Sequence, residues 1–529
     1  MLRVRVILNS KKLCVRSDTS AVMMKTSKLL FAATLLGVSI SCTEEGADVP
    51  GDSSGAIRNV LLISLDTLRA DHLGCYGHEF IQSPAIDALA RDGVLFTNCI
   101  SAAPTTLASH TSLFTGTYPH THGVPRNGFF VHPDNEMLPE VLGANGFRTV
   151  GFVGAAPLDT DVNFHQGFDE YDANFTVTEG LREGIYQRPA NEVTDLALDW
   201  VSNNGGPEDE RFFLFLHYYD VHAPYDFPEP YAGMYSGADE TIDTSIDNLK
   251  LVRSALNKQG LAKEQGPRAK ATEDGFASRV LVGDEATLGD ARSMAAEYAA
   301  GVTWTDHHLG RLFDGLRERG VFDETLIVIT SDHGETLYDH SKPFDHGASV
   351  YDSESHIPLI MHFPGGRFSN QRVEAVVSNI DILPTLLSLL EISVPEDVEG
   401  IDLSLAFDEQ NLERSPVFTE ATKPFNLPLF NSDPVWKNQG KFQSIRTERF
   451  KYMARFPDKK FRLYDLKSDP REETNLLVKG RKFDEEIRVE LDGALRYWRE
   501  SAAPFGGEMT TSKDQLDALN ALGYAGDDE

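Results

Sequence analysis

Asp66, Asp332 and His333 each follow a short apolar run, and Thr106 lies between them in the chain. Carboxylates and imidazole are donors for a divalent cation. A threonine hydroxyl is a poor nucleophile at its free pKa and becomes a useful one beside such a cation. Each residue also has an ordinary explanation. Asp332-His333-Gly334 reads as an exposed loop, and Thr106 as an N-cap threonine before a helix starting at Leu107. That helix would aim backbone N–H groups at an incoming anion as well. The four residues in one chain favour a site. Histidines supply acid–base capacity: His217 and His222 in His217-Tyr218-Tyr219-Asp220-Val221-His222-Ala223-Pro224, and His346 in Phe344-Asp345-His346-Gly347, placed to protonate a leaving group. His120 and His122 read equally as plain loop residues.

These side chains need strand ends to hold them. Apolar runs at 60–65, 148–153, 212–216, 326–330 and 358–362 predict buried strands. Helical patterns fall at 84–92, 107–114, 137–144, 193–200, 295–319 and 380–390. Strands alternating with helices predict an α/β fold, a large mostly parallel sheet covered on both faces. Asp66, His217 and Asp332-His333 follow the strand ends where such sheets place their sites. From about 411 the composition changes, and 442–454 and 462–466 read as strands of a small C-terminal α+β subdomain with a helix at 483–499. The expected organisation is a leader at 1–42, a tether at 43–56, a catalytic domain at 57–410 with a surface insertion at 236–290, and the C-terminal subdomain at 411–529.

The 529 residues include 81 acidic and 49 basic side chains, a net charge of −32, with 41% hydrophobic residues. That balance argues against nucleic acid or an anionic membrane as partner and for a packed globular protein. Lys25 and Lys28 precede an apolar run at 29–40 that ends in Ser41-Cys42. This predicts an export signal, with Met23 or Met24 as the true start. Cys42 is similar to the lipid-modified cysteine of a bacterial lipobox, with Ser39 where leucine is usual. The expected location is therefore periplasmic or outer-membrane, any membrane contact running through Cys42. Cys75 and Cys99 are the thiols of the folded part, either paired or semi-buried.

The stretches together resemble the sulfatase family of the alkaline-phosphatase superfamily, over nearly all of 57–525. Residues 59–71 resemble its first metal strand, and Tyr118-Pro119-His120-Thr121-His122-Gly123-Val124 the segment after its signature. Ser331-Asp332-His333-Gly334-Glu335 is similar to its second metal motif. Asp381-Ile382-Leu383-Pro384-Thr385 and Leu463-Tyr464-Asp465-Leu466 are similar to later landmarks. In the signature frame, counted back from Thr115-Gly116, Thr106 stands at the Cys/Ser that becomes formylglycine, Ser109 at the Ser and His110 at the Arg. The resemblance implies one bound divalent cation, calcium in the family with manganese or zinc as alternatives. It also implies ester hydrolysis, with Asp66, Thr106, Asp332 and His333 around the metal. Thr106 and His110 then belong to the catalytic signature, with His222 and His346 near the leaving group.

Three departures alter the chemistry that follows. Thr106 cannot become formylglycine. Thr67 replaces the second of the usual paired carboxylates. Gly151-Phe152-Val153-Gly154-Ala155-Ala156 stands where the family has a stretch with Lys and His. These features resemble threonine-nucleophile relatives, the nucleotide pyrophosphatase/phosphodiesterases and the lipoteichoic-acid-type phosphoglycerol transferases. A threonine ester has no second hydroxyl, so water must attack the bound sulfur or phosphorus directly. Sulfate-ester and phosphoester hydrolysis therefore stand level, on a sulfated or phosphorylated small molecule or glycan. The alternatives are phosphodiester or phosphonate cleavage, phosphoryl transfer to glycans or lipids, and an inactive lipoprotein that binds sulfated or phosphorylated polymers. Retention of Asp66, Asp332 and His333 together argues against the last.

Overall fold

The apolar run at 60–65 forms strand β1 (Asn59–Leu65), buried along its whole length. In the computed structural model the described residues are 56–175, 187–235, 288–407, 412, 416–422, 441–501 and 508–509, less 207–208, 224, 226, 338, 342–344 and 457–458. Within them β1 is joined by β2 (Val94–Ile100), β3 (Phe129–Phe130), β4 (Arg148–Phe152), β5 (Glu170–Asp172), β6 (Phe212–Tyr218), β7 (Thr325–Thr330), β8 (His356–His362) and β9 (Gln371–Ser378). The large sheet has the order β5-β4-β6-β1-β7-β8-β2-β9. Strand β1 is parallel to both neighbours, β6 and β7. Strand β8 runs antiparallel to β7 and β2, so the sheet is mostly rather than wholly parallel.

Side chains of β1 alternate between two cores, as the period of a strand requires. Leu61, Ile63 and Leu65 pack with helices α1 (Pro84–Arg91), α5 (Ala190–Asn204) and α6 (Leu288–Arg319). Val60 and Leu62 pack on the other face with α2 (Thr106–Thr115), α4 (Leu138–Ala144) and α8 (Ile382–Leu389). The remaining α-helices among the described residues are the short α3 (Pro119–His122) and α7 (Asp352–Ser355), and α9 (Glu485–Ser501). Burial on both faces explains the unbroken apolar runs of β1, β6 and β7.

A second sheet, antiparallel, runs β10 (Val417–Thr422), β11 (Lys441–Arg446), β12 (Phe450–Arg455) and β13 (Lys460–Asp465) in chain order. Leu491, Leu495 and Trp498 of α9 pack on Ile445, Tyr452 and Leu463 of this sheet. Strand β14 (Glu508–Met509) pairs with β3.

Pattern reading passes over β2, β9 and β10. Thr97-Asn98 interrupts β2, and its register against β9 shifts between Phe96 and Asn98. Arg372 and Glu374 face outward from the first half of β9, and β10 buries the polar Thr419 and Glu420. Helix α6 begins at Leu288, inside the last residues of the expected insertion; 236–287 lie outside the described residues, as do 1–55 with the expected leader, Cys42 and nearly all of the tether. Cys75 and Cys99 are not joined in a disulfide. Among the described residues no helix is long and apolar enough to cross a membrane.

Candidate active site

Asp66 directly follows β1, and Asp332-His333 follows β7, the strand next to it. All three side chains are fully buried, and one donor atom from each lies within 4.8 Å of the other two. Their remaining atoms are tied down. The Thr67 and His333 N–H groups donate to Asp332 Oδ1 at 3.2 and 2.8 Å. His333 Nδ1–H donates to the Gly334 carbonyl at 2.9 Å, which leaves Nε2 as a lone pair. Asp66 Oδ1, Asp332 Oδ2 and His333 Nε2 have no hydrogen-bond partner among the described residues. Three buried donors without partners, two of them carboxylate oxygens, are the set a divalent cation would complete.

The electrostatics agree. Burial pushes the Asp66 carboxyl well above the usual range, and the nearby Asp332 charge pushes it further. Burial works in the same direction on Asp332, yet His333, His110 and His217 hold it below its usual value. Two carboxylates this close titrate as a pair, and a bound cation would relieve the strain on both.

Thr106 opens α2 and is fully buried. The expected helix therefore begins one residue earlier, on the candidate nucleophile itself. His110, one turn on, donates Nδ1–H to the Thr106 carbonyl at 2.8 Å and accepts from Ser64 Oγ at Nε2, also 2.8 Å. Burial lowers its pKa to about 4, so it is neutral at pH 7. The structure thus makes His110 a brace between β1 and the nucleophile turn rather than a substitute for a cationic arginine. Ser109, on the same turn, donates to the Asp332 carbonyl at 2.6 Å, as does Ser101 at 2.5 Å. Thr67, at a positive φ of 57°, sits in a conformation β-branched residues rarely adopt, and its carbonyl accepts from Tyr298 OH at 2.8 Å.

His217 accepts the Gly154 N–H at Nδ1, 3.3 Å away, and so presents Nε2–H to Asp66 Oδ2 at 3.2 Å. It orients a ligand carboxylate. Gly154 has no room for a side chain, since a Cβ would meet the His217 carbonyl at 2.7 Å. The 151–156 stretch thus contributes a backbone donor where the family has charged side chains. His110, His217 and Asp332 also converge, but the hydrogen bonds just described occupy both nitrogens of each histidine.

His346 joins the site from the loop after β7. Its ring lies 4.5 Å from that of His333 and 5.1 Å from that of His222. Both oxygens of the buried Glu335 stand 3.3 Å from His346 Nδ1. His222 stacks on Tyr219 and donates Nδ1–H to the Ala223 carbonyl at 2.6 Å; burial, then His346, keep its pKa well below normal. The structure therefore gathers Asp66, Thr106, His110, His222, Asp332, His333 and His346 around one place. Sequence reasoning missed Glu335, Ser64 and Tyr298 as supports, and His217 as the partner of Asp66. Glu335 stood beside residues already singled out, and His217 was itself singled out, as an acid–base group; Ser64 and Tyr298 carry no local signal.

Comparison with known proteins gives a consistent family. The family described as Sulfatase matches residues 58–392, and the one described as N-sulphoglucosamine sulphohydrolase, C-terminal, matches 341–501. Arylsulfatase K of Bos taurus is 25% identical over 507 residues, covering 90% of this chain and 89% of that protein. A solved structure holding its substrate, D-glucosamine-2-N,6-O-disulfate, superposes with a TM-score of 0.67 at 22% identity, over 85% of this chain and 99% of that one. Phosphonate monoester hydrolase of Agrobacterium radiobacter does so with a TM-score of 0.63 at 24% identity, over 84% and 96%.

Proposed function

Because the chain belongs to the sulfatase family of sulfuric ester hydrolases, we propose that it is a metal-dependent hydrolase of singly charged sulfate or phosphate esters with Thr106 as nucleophile. The observation that carries this reading is the convergence of three buried donors without hydrogen-bond partners among the described residues, Asp66 Oδ1, Asp332 Oδ2 and His333 Nε2. Calcium is the proposed ion, with manganese and zinc as competitors. Held by Asp66, Asp332 and His333, such a cation would supply positive charge for a non-bridging oxygen and would lower the pKa of a nearby hydroxyl.

Thr106 Oγ, as the alkoxide that a bound cation would favour, attacks sulfur or phosphorus, and the ester bond to the leaving oxygen breaks. His346 gives that oxygen a proton, with the neutral His222 ring beside it. Backbone N–H groups at the start of α2 stabilise the non-bridging oxygens. Water then attacks the same sulfur or phosphorus, breaking the bond to Thr106 Oγ, and the histidine takes up the proton it gave.

Charge favours monoanions. Asp66 and Asp332 balance a divalent ion, Thr67 adds no third carboxylate, and His110 and His217 are both neutral, with pKa values lowered to about 4 by burial. Sulfate esters and phosphonate monoesters, the classes named in the relatives, carry one negative charge each. A sulfated sugar is the proposed natural substrate, supported by the glucosamine disulfate in one related structure. Export, with Cys42 as lipid attachment point, belongs to the same proposal.

The test uses the full chain with p-nitrophenyl sulfate, p-nitrophenyl phosphate and bis-p-nitrophenyl phosphate, with calcium, manganese or zinc. Turnover of the sulfate or the diester should exceed that of the doubly charged monoester. Thr106→Ala should lower it by about 10³-fold or more with metal binding retained. Turnover surviving that change overturns the nucleophile. Metal binding without turnover of any ester favours a binding protein for sulfated or phosphorylated polymers.

A further inference from the structure

Thr67 holds a backbone conformation that its own side chain does nothing to favour. Its φ is 57°, in the left-handed region where the branched Cβ of a threonine crowds the backbone. Asp and Asn enter that region more readily, because a short polar side chain can bond locally. An aspartate here, the residue usual in the family, would have that option. Thr67 is fully buried, and its Oγ1 has no hydrogen-bond partner among the described residues. The conformation nevertheless serves the site. Thr67 directly follows Asp66, and its N–H donates to Asp332 Oδ1 at 3.2 Å.

The hold on this turn comes from α6. Tyr298 is fully buried. Its hydroxyl accepts the Arg69 N–H at 3.0 Å and gives its one proton to the Thr67 carbonyl, 2.8 Å away. Burial pushes the phenol well above its ordinary value, so that proton stays in place. A single side chain thus bridges both ends of the 67–69 turn from another element. The ring is fixed in its turn, edge-on to His72 at 5.2 Å and to Tyr225 at 6.0 Å between centroids. Without the hydroxyl, two buried backbone groups lose a partner, and Thr67 can relax to a negative φ.

On the reading of Asp66, Asp332 and His333 as a metal site, we propose that Tyr298 is a positioning residue for those ligands. Its hydroxyl holds Thr67 in the left-handed conformation that ties the turn after Asp66 to Asp332. Threonine in place of a carboxylate needs an external hold, and α6 supplies it. A metal site that is competent only while Thr67 stays left-handed loses affinity in proportion to the time Thr67 spends relaxed.

Tyr298→Phe removes the hydroxyl and keeps the ring. In the full chain, titrated with calcium alone, this variant should bind the ion about 10-fold or more weakly than wild type. Thr67→Gly separates the hold on Thr67 from general support, because glycine takes a positive φ without steric penalty. In the double variant, calcium affinity should return to within about threefold of Thr67→Gly alone, although the Thr67 carbonyl and the Arg69 N–H still lack their partner. Tyr76→Phe is the control. That phenol also bridges two backbone groups, accepting the Leu359 N–H at 2.8 Å and donating to the Phe96 carbonyl at 2.9 Å. Its loss should lower the melting temperature and leave calcium affinity within about threefold of wild type. Unchanged calcium affinity in folded Tyr298→Phe overturns the proposal. So does a loss that Thr67→Gly fails to restore, or an equal loss in Tyr76→Phe. Should the wild type bind neither calcium, manganese nor zinc, the metal reading has failed by itself, and metal-free melts decide the role of Tyr298. Thr67→Gly should then do more for the melting temperature of wild type, where Thr67 is held under strain, than for Tyr298→Phe, where it has relaxed. Equal effects in the two backgrounds would overturn that role separately.

Discussion

Two clusters of buried acid stand back to back in this molecule and are built on opposite plans. In one, neither Asp66 nor Asp332 has a lysine or arginine within ion-pair reach among the described residues, only histidines: His217 at 3.2 Å from Asp66, and His333 at 3.4 Å and His110 at 3.9 Å from Asp332. In the other, Lys451 Nζ reaches Asp352 at 2.6 Å and Glu472 at 3.0 Å, and Arg446 reaches Asp352 at 3.2 Å. The closed cluster ties strands of the small sheet to α7. The Glu354 carbonyl of α7 in turn accepts the Gly334 N–H at 2.9 Å, just after His333. Gly334 admits this contact because a Cβ would meet the Ser353 carbonyl at 2.2 Å. Burial of carboxylates therefore does not by itself mark a site. The mark is burial without a permanent counter-charge, which leaves donors for something mobile.

Removing one charge from each cluster gives the widest separation. Lys451→Met strands Asp352 and Glu472 and should cost about 3–5 kcal/mol of stability. Asp66→Asn removes one of two carboxylates that repel each other, so its metal-free form should melt above metal-free wild type. The same variant should lose about 10³-fold in turnover. In wild type, calcium at about 100 times its Kd should add about 2.7 kcal/mol; Asp66→Asn should show none of this gain, and Lys451→Met should keep it. Thermal melts in chelator and in calcium read all of these. A calcium gain of the same size in wild type and Asp66→Asn would erase the distinction between the clusters.

The open cluster was the more legible of the two in sequence, for a physical reason. Asp66 and Asp332 sit at the ends of strands buried on both faces, which appear as apolar runs ending in charge. The closed cluster draws on 352, 446, 451 and 472, and no periodicity links a short helix, two strands of a half-polar antiparallel sheet and a turn. Strand β2 was missed for a related reason, since its bulge at Phe96–Asn98 breaks the pattern that would have exposed it. The orientation of the imidazoles was also out of reach. Whether His110 faces the anion or braces α2 depends on Ser64, a strand residue with no signal of its own. Resemblance placed His110 in the signature; geometry showed that its nitrogens are already in use.

Within the open cluster, Glu335 and His346 form a smaller unit with its own charge. Glu335 is fixed beside His346 Nδ1 and so orients the ring through that nitrogen. Glu335→Gln keeps an oxygen acceptor and removes the charge. It should lower kcat by about 10- to 30-fold, within the range for an acid–base group, with KM and calcium affinity nearly unchanged. Glu335→Ala should lose more, because the ring is then unheld. A matching change in KM and calcium affinity would assign Glu335 to the metal side of the comparison instead.

A third way to bury a titratable group is to keep it neutral, and His122 in α3 does this. Its Nδ1 accepts the Val124 N–H at 3.1 Å, so Nε2–H donates to Ser112 Oγ at 2.9 Å. Burial, with a small push from His120, lowers its pKa to about 3. In the unfolded chain the ring takes a proton near pH 6.5. Between about pH 6.5 and 3 the unfolded state therefore binds the extra proton, and stability falls as pH falls. The slope from this residue is about 1.4 kcal/mol per pH unit at most. His122→Gln can still donate to Ser112 but does not titrate, so its melting temperature should fall less steeply over that window than wild type, from a lower value at pH 7. An unchanged slope would mean that the protonated ring is accommodated, which the closed hydrogen bonds on both nitrogens do not allow without breaking one of them.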